Sequence, residues 1–113
     1  MFLKIEKTLK ALADRSRLRI INMLNEKSMC VCEITEVLGL SQSTVSGHLR
    51  VLKEAELVED EKDGLWVEYR LSRDSKFNDA ALTLLLETMK SDKKLITDRK
   101  KAARADRDLL CKK

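Results

Sequence analysis

Residues 41–57 read "SQSTVSGHLRVLKEAEL". Val45, Leu49 and Leu52 recur at i, i+4 and i+7, which predicts an amphipathic helix with one buried stripe; Ser41 just ahead of it is the expected N-cap. A turn of about 100° per residue carries Ser43, Ser46, Gly47 and Arg50 to the opposite face. Gln42 and Thr44 stand at the N-terminal end, where recognition helices reach base edges. Hydroxyl, amide and guanidinium groups there can hydrogen-bond bases or phosphates, and the helix N-terminus itself attracts phosphate. Gly47 costs roughly 1 kcal/mol against alanine in mid-helix, and its missing side chain would let the backbone lie close to DNA. The same pattern fits an ordinary solvated helix face, so the flanking sequence decides. His48, about 60° from the stripe, is expected to be a hydrogen-bonded packing residue rather than a metal ligand.

Upstream, "VCEITEVLGL" is a short helical stretch ending at Gly39, a residue suited to the position past a helix C-terminus. Ser28 is its expected cap. Asp14 is the expected cap of a second helix carrying Leu18, Ile21 and Leu24, and Leu3, Leu9, Leu12 and Ala13 mark a first. Downstream the period changes to two. Residues 57–61 and 65–71 alternate, with Leu65, Val67, Tyr69 and Leu71 on one side, and Asp63-Gly64 between them signals a hairpin turn. Helical spacing returns from Asp74, with Phe77, Ala81, Leu84, Leu85 and Met89 on one face. The order predicts a mainly α fold with one β-hairpin, a winged helix-turn-helix over residues 1–90. Residues 91–113 are expected to form a basic, helix-capable C-terminal tail.

Composition agrees. The 113 residues include no proline, 3 glycines and 37% charged residues, a balance that favours helices. Residues 1–50 carry a net +3, residues 51–75 a net −4 and residues 76–113 a net +5, which suits a nucleic-acid partner without demanding one. No apolar run approaches the length of a membrane span. The opening "MFLKIEKTLK" lacks an apolar leader, so a cytoplasmic location with reduced thiols is expected. Enzymatic readings find little support: there is no C-x-x-C motif, no glycine-rich phosphate loop and no plausible Cys–His pair.

Three stretches, "LKALADRSRLRI", "VCEITEVLGLSQSTVSGHLRVLKEAELV" and "DGLWVEYRLS", resemble the ArsR/SmtB family of metal-responsive winged-helix repressors. The likeness covers roughly residues 8–72 and lies in the order of the motifs. It implies a homodimer built through the first and last helices, bound to a double-stranded operator and released by metal. Two-fold symmetry would then set the recognition helices about one DNA turn (~34 Å) apart. Two departures stand out. Glu56 occupies a position where the family usually has glycine, and the hairpin tip "EDEKDG" is acidic, with only Lys62 suited to a phosphate.

Residues 29–33, "MCVCE", resemble the arsenic- and cadmium/lead-responsive members, whose cysteine pair lies on the first helix of the helix-turn-helix. Thiolates are soft donors that select thiophilic ions over Mg²⁺ or Ca²⁺. Arsenite or antimonite is the first expected inducer, cadmium or lead the second; no zinc-type His/Asp/Glu cluster is legible on the final helix. A site near a helix N-terminus is expected to lower the thiol pKa. Residues i and i+2 of a helix point about 200° apart, so Cys30 and Cys32 are expected to splay, and an ion gripping both would have to distort the first turn. The third cysteine of the arsenic-responsive members is replaced here by Thr35. Cys111 could complete a three-sulfur site, from its own chain or from the partner subunit, or could be an incidental thiol at a frayed end. Thiol oxidation is a further reading of the same pair, and simple burial of a small apolar residue the plainest.

Overall fold

The computed structural model describes residues 2–110. Along that stretch lie α1 (Phe2–Leu12), α2 (Arg15–Leu24), β1 (Met29–Cys30), α3 (Val31–Leu38), α4 (Gln42–Glu54), β2 (Val58–Asp63), β3 (Trp66–Leu71), α5 (Lys76–Met89), α6 (Lys93–Arg104) and α7 (Arg107–Leu110). The strands form an antiparallel sheet in the order β1-β3-β2. It is the winged helix-turn-helix expected, with a third strand and two further helices.

Short polar side chains open the helices as their sequence positions suggest. Asp14 accepts from the Arg17 amide and Ser41 from the Thr44 amide, each satisfying a donor that the first turn leaves open. Ser75 does the same for α5 through the Asn78 amide. Gly39 ends α3 at φ +71°, a left-handed conformation that glycine adopts without steric cost. The stripe Val45, Leu49 and Leu52 is wholly excluded from solvent, against Ile20, Ile21, Met23, Ile34 and Leu82.

Three expectations need correcting. Ser28 is not the cap of α3, because Met29 and Cys30 leave the helical register to pair with Tyr69 and Glu68 of β3, and Cys30 becomes the N-cap. The hairpin loop is Gly64-Leu65 rather than Asp63-Gly64, since Asp63 still pairs with Trp66. The wing's alternating face also reaches the core over only half its length: Tyr69 and Leu71 pack on it, whereas Leu65 and Val67 are exposed beyond its edge.

The segment after Ser91 is seated on the body of the protein. Asp98 of α6 is fully buried and receives Nε and Nη2 of Arg19 at 2.7 and 3.1 Å. Asn22 donates to the Leu95 carbonyl, and Arg99 donates to Asn22. This hydrogen-bonded pairing supports the Arg19 cation, and it raises the pKa of its guanidinium.

Glu56 has the positive φ that a glycine would supply, at +61°. It closes α4 as the left-handed residue of a Schellman turn: its amide donates to Lys53 and the next amide, of Leu57, to Leu52. Asn78, buried in α5, braces the turn by donating to the carbonyls of Ala55 and Glu56 while accepting from Thr8. A left-handed non-glycine residue costs about 1–2 kcal/mol, and the exposed Lys4–Glu56 ion pair returns little of it. Glu56→Gly is expected to stabilise the fold by about 1 kcal/mol and Glu56→Val to destabilise it by a similar amount, read as shifts of the urea midpoint.

Candidate metal centre and nucleic-acid interface

The β1–β3 pairing decides the geometry of the cysteines. Cys30 has extended backbone, φ −92° and ψ 167°, and only Cys32 stands within the helix. Helical splaying therefore does not apply, and the two Sγ atoms lie 3.4 Å apart. An ion bonded to two sulfurs at about 2.3 Å with an angle near 90–110° sets them about 3.3–3.8 Å apart. The pair already has the spacing of a chelate, with the first turn of α3 intact.

Glu33 completes the corner. Its Oε1 accepts the Cys30 amide at 2.9 Å and Cys30 Sγ at 3.2 Å, and its Oε2 lies 3.6 Å from Lys27 Nζ. The carboxylate is almost wholly buried. It caps the helix as the third residue of a capping box does, with cysteine in the place of serine. The C-x-x-E spacing carried that signal in the sequence. Burial of Cys30, reinforced by the hydrogen bond and negative charge of Glu33, pushes its thiol up to about 11. The helix terminus does not lower it as expected: desolvation and a neighbouring anion outweigh the N-terminal dipole.

Thr35, in the place of the third cysteine, donates its hydroxyl to the Val31 carbonyl. Among the described residues no group of three metal-binding side chains occurs. Cys111 lies outside the described residues. The residue before it, Leu110, shares a groove of about 380 Å³ with Glu36 and Val37 of α3.

The recognition face of α4 is open. Gln42, Ser43, Thr44 and Arg50 are exposed, while Ser46 and Gly47 are half-buried. The Thr44 hydroxyl accepts from Ser41, so part of its capacity belongs to the cap. A Cβ built on Gly47 would meet nothing within 4 Å; packing within the chain does not require glycine there. His48 packs as expected, its Nδ1 lying 3.2 Å from Arg17 Nη1.

The wing's carboxylates are extensively paired. Arg70 binds Glu59 and Glu61, Lys53 binds Asp60, and Arg107 of α7 binds Asp63 and Glu68. Sequence reading missed Arg107, because nothing local links residue 107 to a hairpin some forty positions earlier.

The family model for bacterial regulatory proteins of the arsR family matches residues 14–60. The arsenical resistance operon repressor of Escherichia coli K12 is 47% identical over 64 residues, 56% of this chain and 55% of that protein. The repressor of the same description from Bacillus subtilis is 41% identical over 70 residues, 61% of this chain and 67% of that protein. A cadmium resistance regulatory protein of Listeria innocua is 41% identical over 61 residues, 53% of this chain and 51% of that protein. The matches to these curated relatives thus span between half and two thirds of their length. Among solved structures, reduced HlyU of Vibrio cholerae aligns with TM-score 0.67 at 37% identity, over 76% of this chain and 88% of that one. A homodimeric winged helix-turn-helix domain of Mycobacterium bovis aligns with TM-score 0.68 at 26% identity, over 79% and 81%.

With its thiol pushed up to about 11, Cys30 stays almost wholly protonated at pH 7. In a Cys32→Ser/Cys111→Ser background, its iodoacetamide reaction should speed up about tenfold per pH unit between pH 7 and 10. Glu33→Gln should shift that profile to lower pH; an unmoved profile would leave burial as the sole cause.

Proposed function

The chain belongs to the ArsR family of bacterial regulatory proteins, and from that premise we propose that it is a metalloid-responsive repressor. It binds operator DNA as a homodimer and leaves it when arsenite or antimonite engages Cys30 and Cys32. The observation that carries this reading is the 3.4 Å between the two sulfurs: two soft donors lie at chelating separation beside the helix that precedes the recognition helix. Bound there, a trivalent metalloid supplies a soft acceptor for two or three thiolates, with Cys111 as the third donor. Arsenite is preferred over cadmium on the arsenical repressors among the relatives.

The protein's own residues account for the response. On binding, the Cys30 proton would leave in water with a hydroxyl of arsenous acid, so Glu33 would lose the Sγ–H donor and its buried carboxylate would face a metalloid-bound sulfur. The helix cap and the strand pairing of Cys30 with Glu68 are both adjacent to that change. A coupling of about 1–3 kcal/mol, enough for a 5–150-fold loss of DNA affinity, would suffice.

For DNA, Gln42, Ser43, Thr44, Ser46 and Arg50 supply donors and acceptors on the open face. Gly47 is a place where a phosphate or base edge can approach the helix closely. For the dimer, α1 leaves Phe2, Leu3 and Leu9 exposed and α5 leaves Phe77 and Leu84 exposed. Leu9, Phe77 and Leu84 line one apolar groove of about 460 Å³, which supports pairing of subunits through these two helices.

Fluorescence anisotropy with the DNA upstream of the protein's own gene tests the reading. Cys30→Ser and Cys32→Ser should each keep operator affinity within about threefold while abolishing the arsenite response; Cys111→Ser should raise the arsenite needed without changing DNA binding. Tight arsenite binding with unchanged DNA affinity in the native protein would remove the proposal. Release by cadmium alone would reassign the ion.

A further inference from the structure

The wing and the last described helix meet at Arg107, and the cysteine segment pairs with one of the wing residues it binds. Its Nη1 lies 2.9 Å from Glu68 Oε2, its Nη2 lies 2.9 Å from Asp63 Oδ2, and its guanidinium carbon sits 5.3 Å from the centroid of the Trp66 ring. Trp66 and Glu68 are two apart on β3 and so project to the same face of the sheet, and Asp63 is the cross-strand partner of Trp66. Cys30 is the partner of Glu68 on the other side. Directly paired residues share a face, so the cysteine, the acid, the ring and the guanidinium stand along one side of one strand. The same short helix that carries Arg107 also carries Leu110, which lies against α3.

We infer that Arg107 is a positioning residue that couples the cysteine pair to the wing. It holds α7 across the hairpin, neutralises two wing carboxylates that would repel DNA phosphate, and ties the strand that pairs with Cys30. A change at Cys30 displaces Glu68 within the ladder, and Arg107 carries that displacement to Asp63 and Trp66 at the wing tip. This inference rests on the reading that Cys30 and Cys32 hold the inducer, but its physical core, the link from Cys30 to the wing, can be tested without any metal.

Trp66 is the only tryptophan in the chain, so the intact protein reports on its own wing. In the Cys32→Ser/Cys111→Ser background, iodoacetamide modification of Cys30 at pH 10, verified by mass, should shift Trp66 emission, and in the native protein arsenite should do the same. In Arg107→Ala, acrylamide should quench Trp66 more strongly, and both emission responses should be lost. The ratio of operator dissociation constants with and without arsenite should fall at least fivefold, while the arsenic–sulfur ultraviolet band titrates as in the native protein. Arg107→Lys, which keeps the charge but not the forked geometry, should recover part of each; circular dichroism verifies that both variants fold. A Trp66 that is silent to verified alkylation of Cys30, or an Arg107→Ala protein with native emission changes and a native affinity ratio, overturns the inference. Absence of the arsenic–sulfur band in the native protein would instead count against arsenite as inducer, and the alkylation comparison would still decide the role of Arg107.

Discussion

The pairing of Met29 and Cys30 with β3 is the constraint on which the site depends. Two residues that could have extended α3 toward its N-terminus are held as strand by Tyr69 and Glu68. That turns Cys30 from a helix residue into a helix cap and brings its sulfur beside that of Cys32. It also sets Cys30 one strand away from the wing. The chelating pair, the cap of α3 and the hairpin are thereby parts of one hydrogen-bonded element.

The electrostatics of this element are set by burial more than by the helix dipole. A dipole effect of a few tenths of a kcal/mol to about 1 kcal/mol at an exposed terminus cannot offset a buried carboxylate in contact with the thiol. The protein thus keeps Cys30 protonated at neutral pH; an As–OH group would carry that proton away as water, so arsenite affinity should be nearly flat around neutral pH, whereas a divalent cation would have to release the proton and should bind more tightly as pH rises. The acidic wing follows similar logic. Its carboxylates pair with cations from α4, β3 and α7, so its formal charge overstates the repulsion it presents to DNA.

Much of the fold was legible because its signals are local. Asp14, Ser41 and Gly39 mark helix ends through their own backbone chemistry, and the Val45–Leu49–Leu52 stripe fixes which face of α4 remains open. The cysteine pair was recognisable by residue type and spacing. Its geometry was not, because a two-residue strand is decided by a partner nearly forty positions away, and local periodicity cannot register it. The seating of α6 was hidden for the same reason: Asp98 reads as one charge among many until Arg19 is opposite it. Glu33 lay between these cases, visible as a capping-box glutamate to a reading that accepts cysteine as the cap. Glu56 was noticed as a departure from glycine, and the backbone explains the family's preference, since the chain turns left-handed there.

The central claim is that the inducer can occupy Cys30 and Cys32 while α3 keeps its first turn. Amide hydrogen exchange at residues 35–38, whose N–H groups close that turn and the next, measures it directly in the reduced protein with and without arsenite. Protection at these amides should be retained or increased on binding, with changes confined to β1 and the wing. Loss of protection there, at arsenite concentrations that release DNA, would mean that the helix unwinds to admit the ion and would contradict the claim.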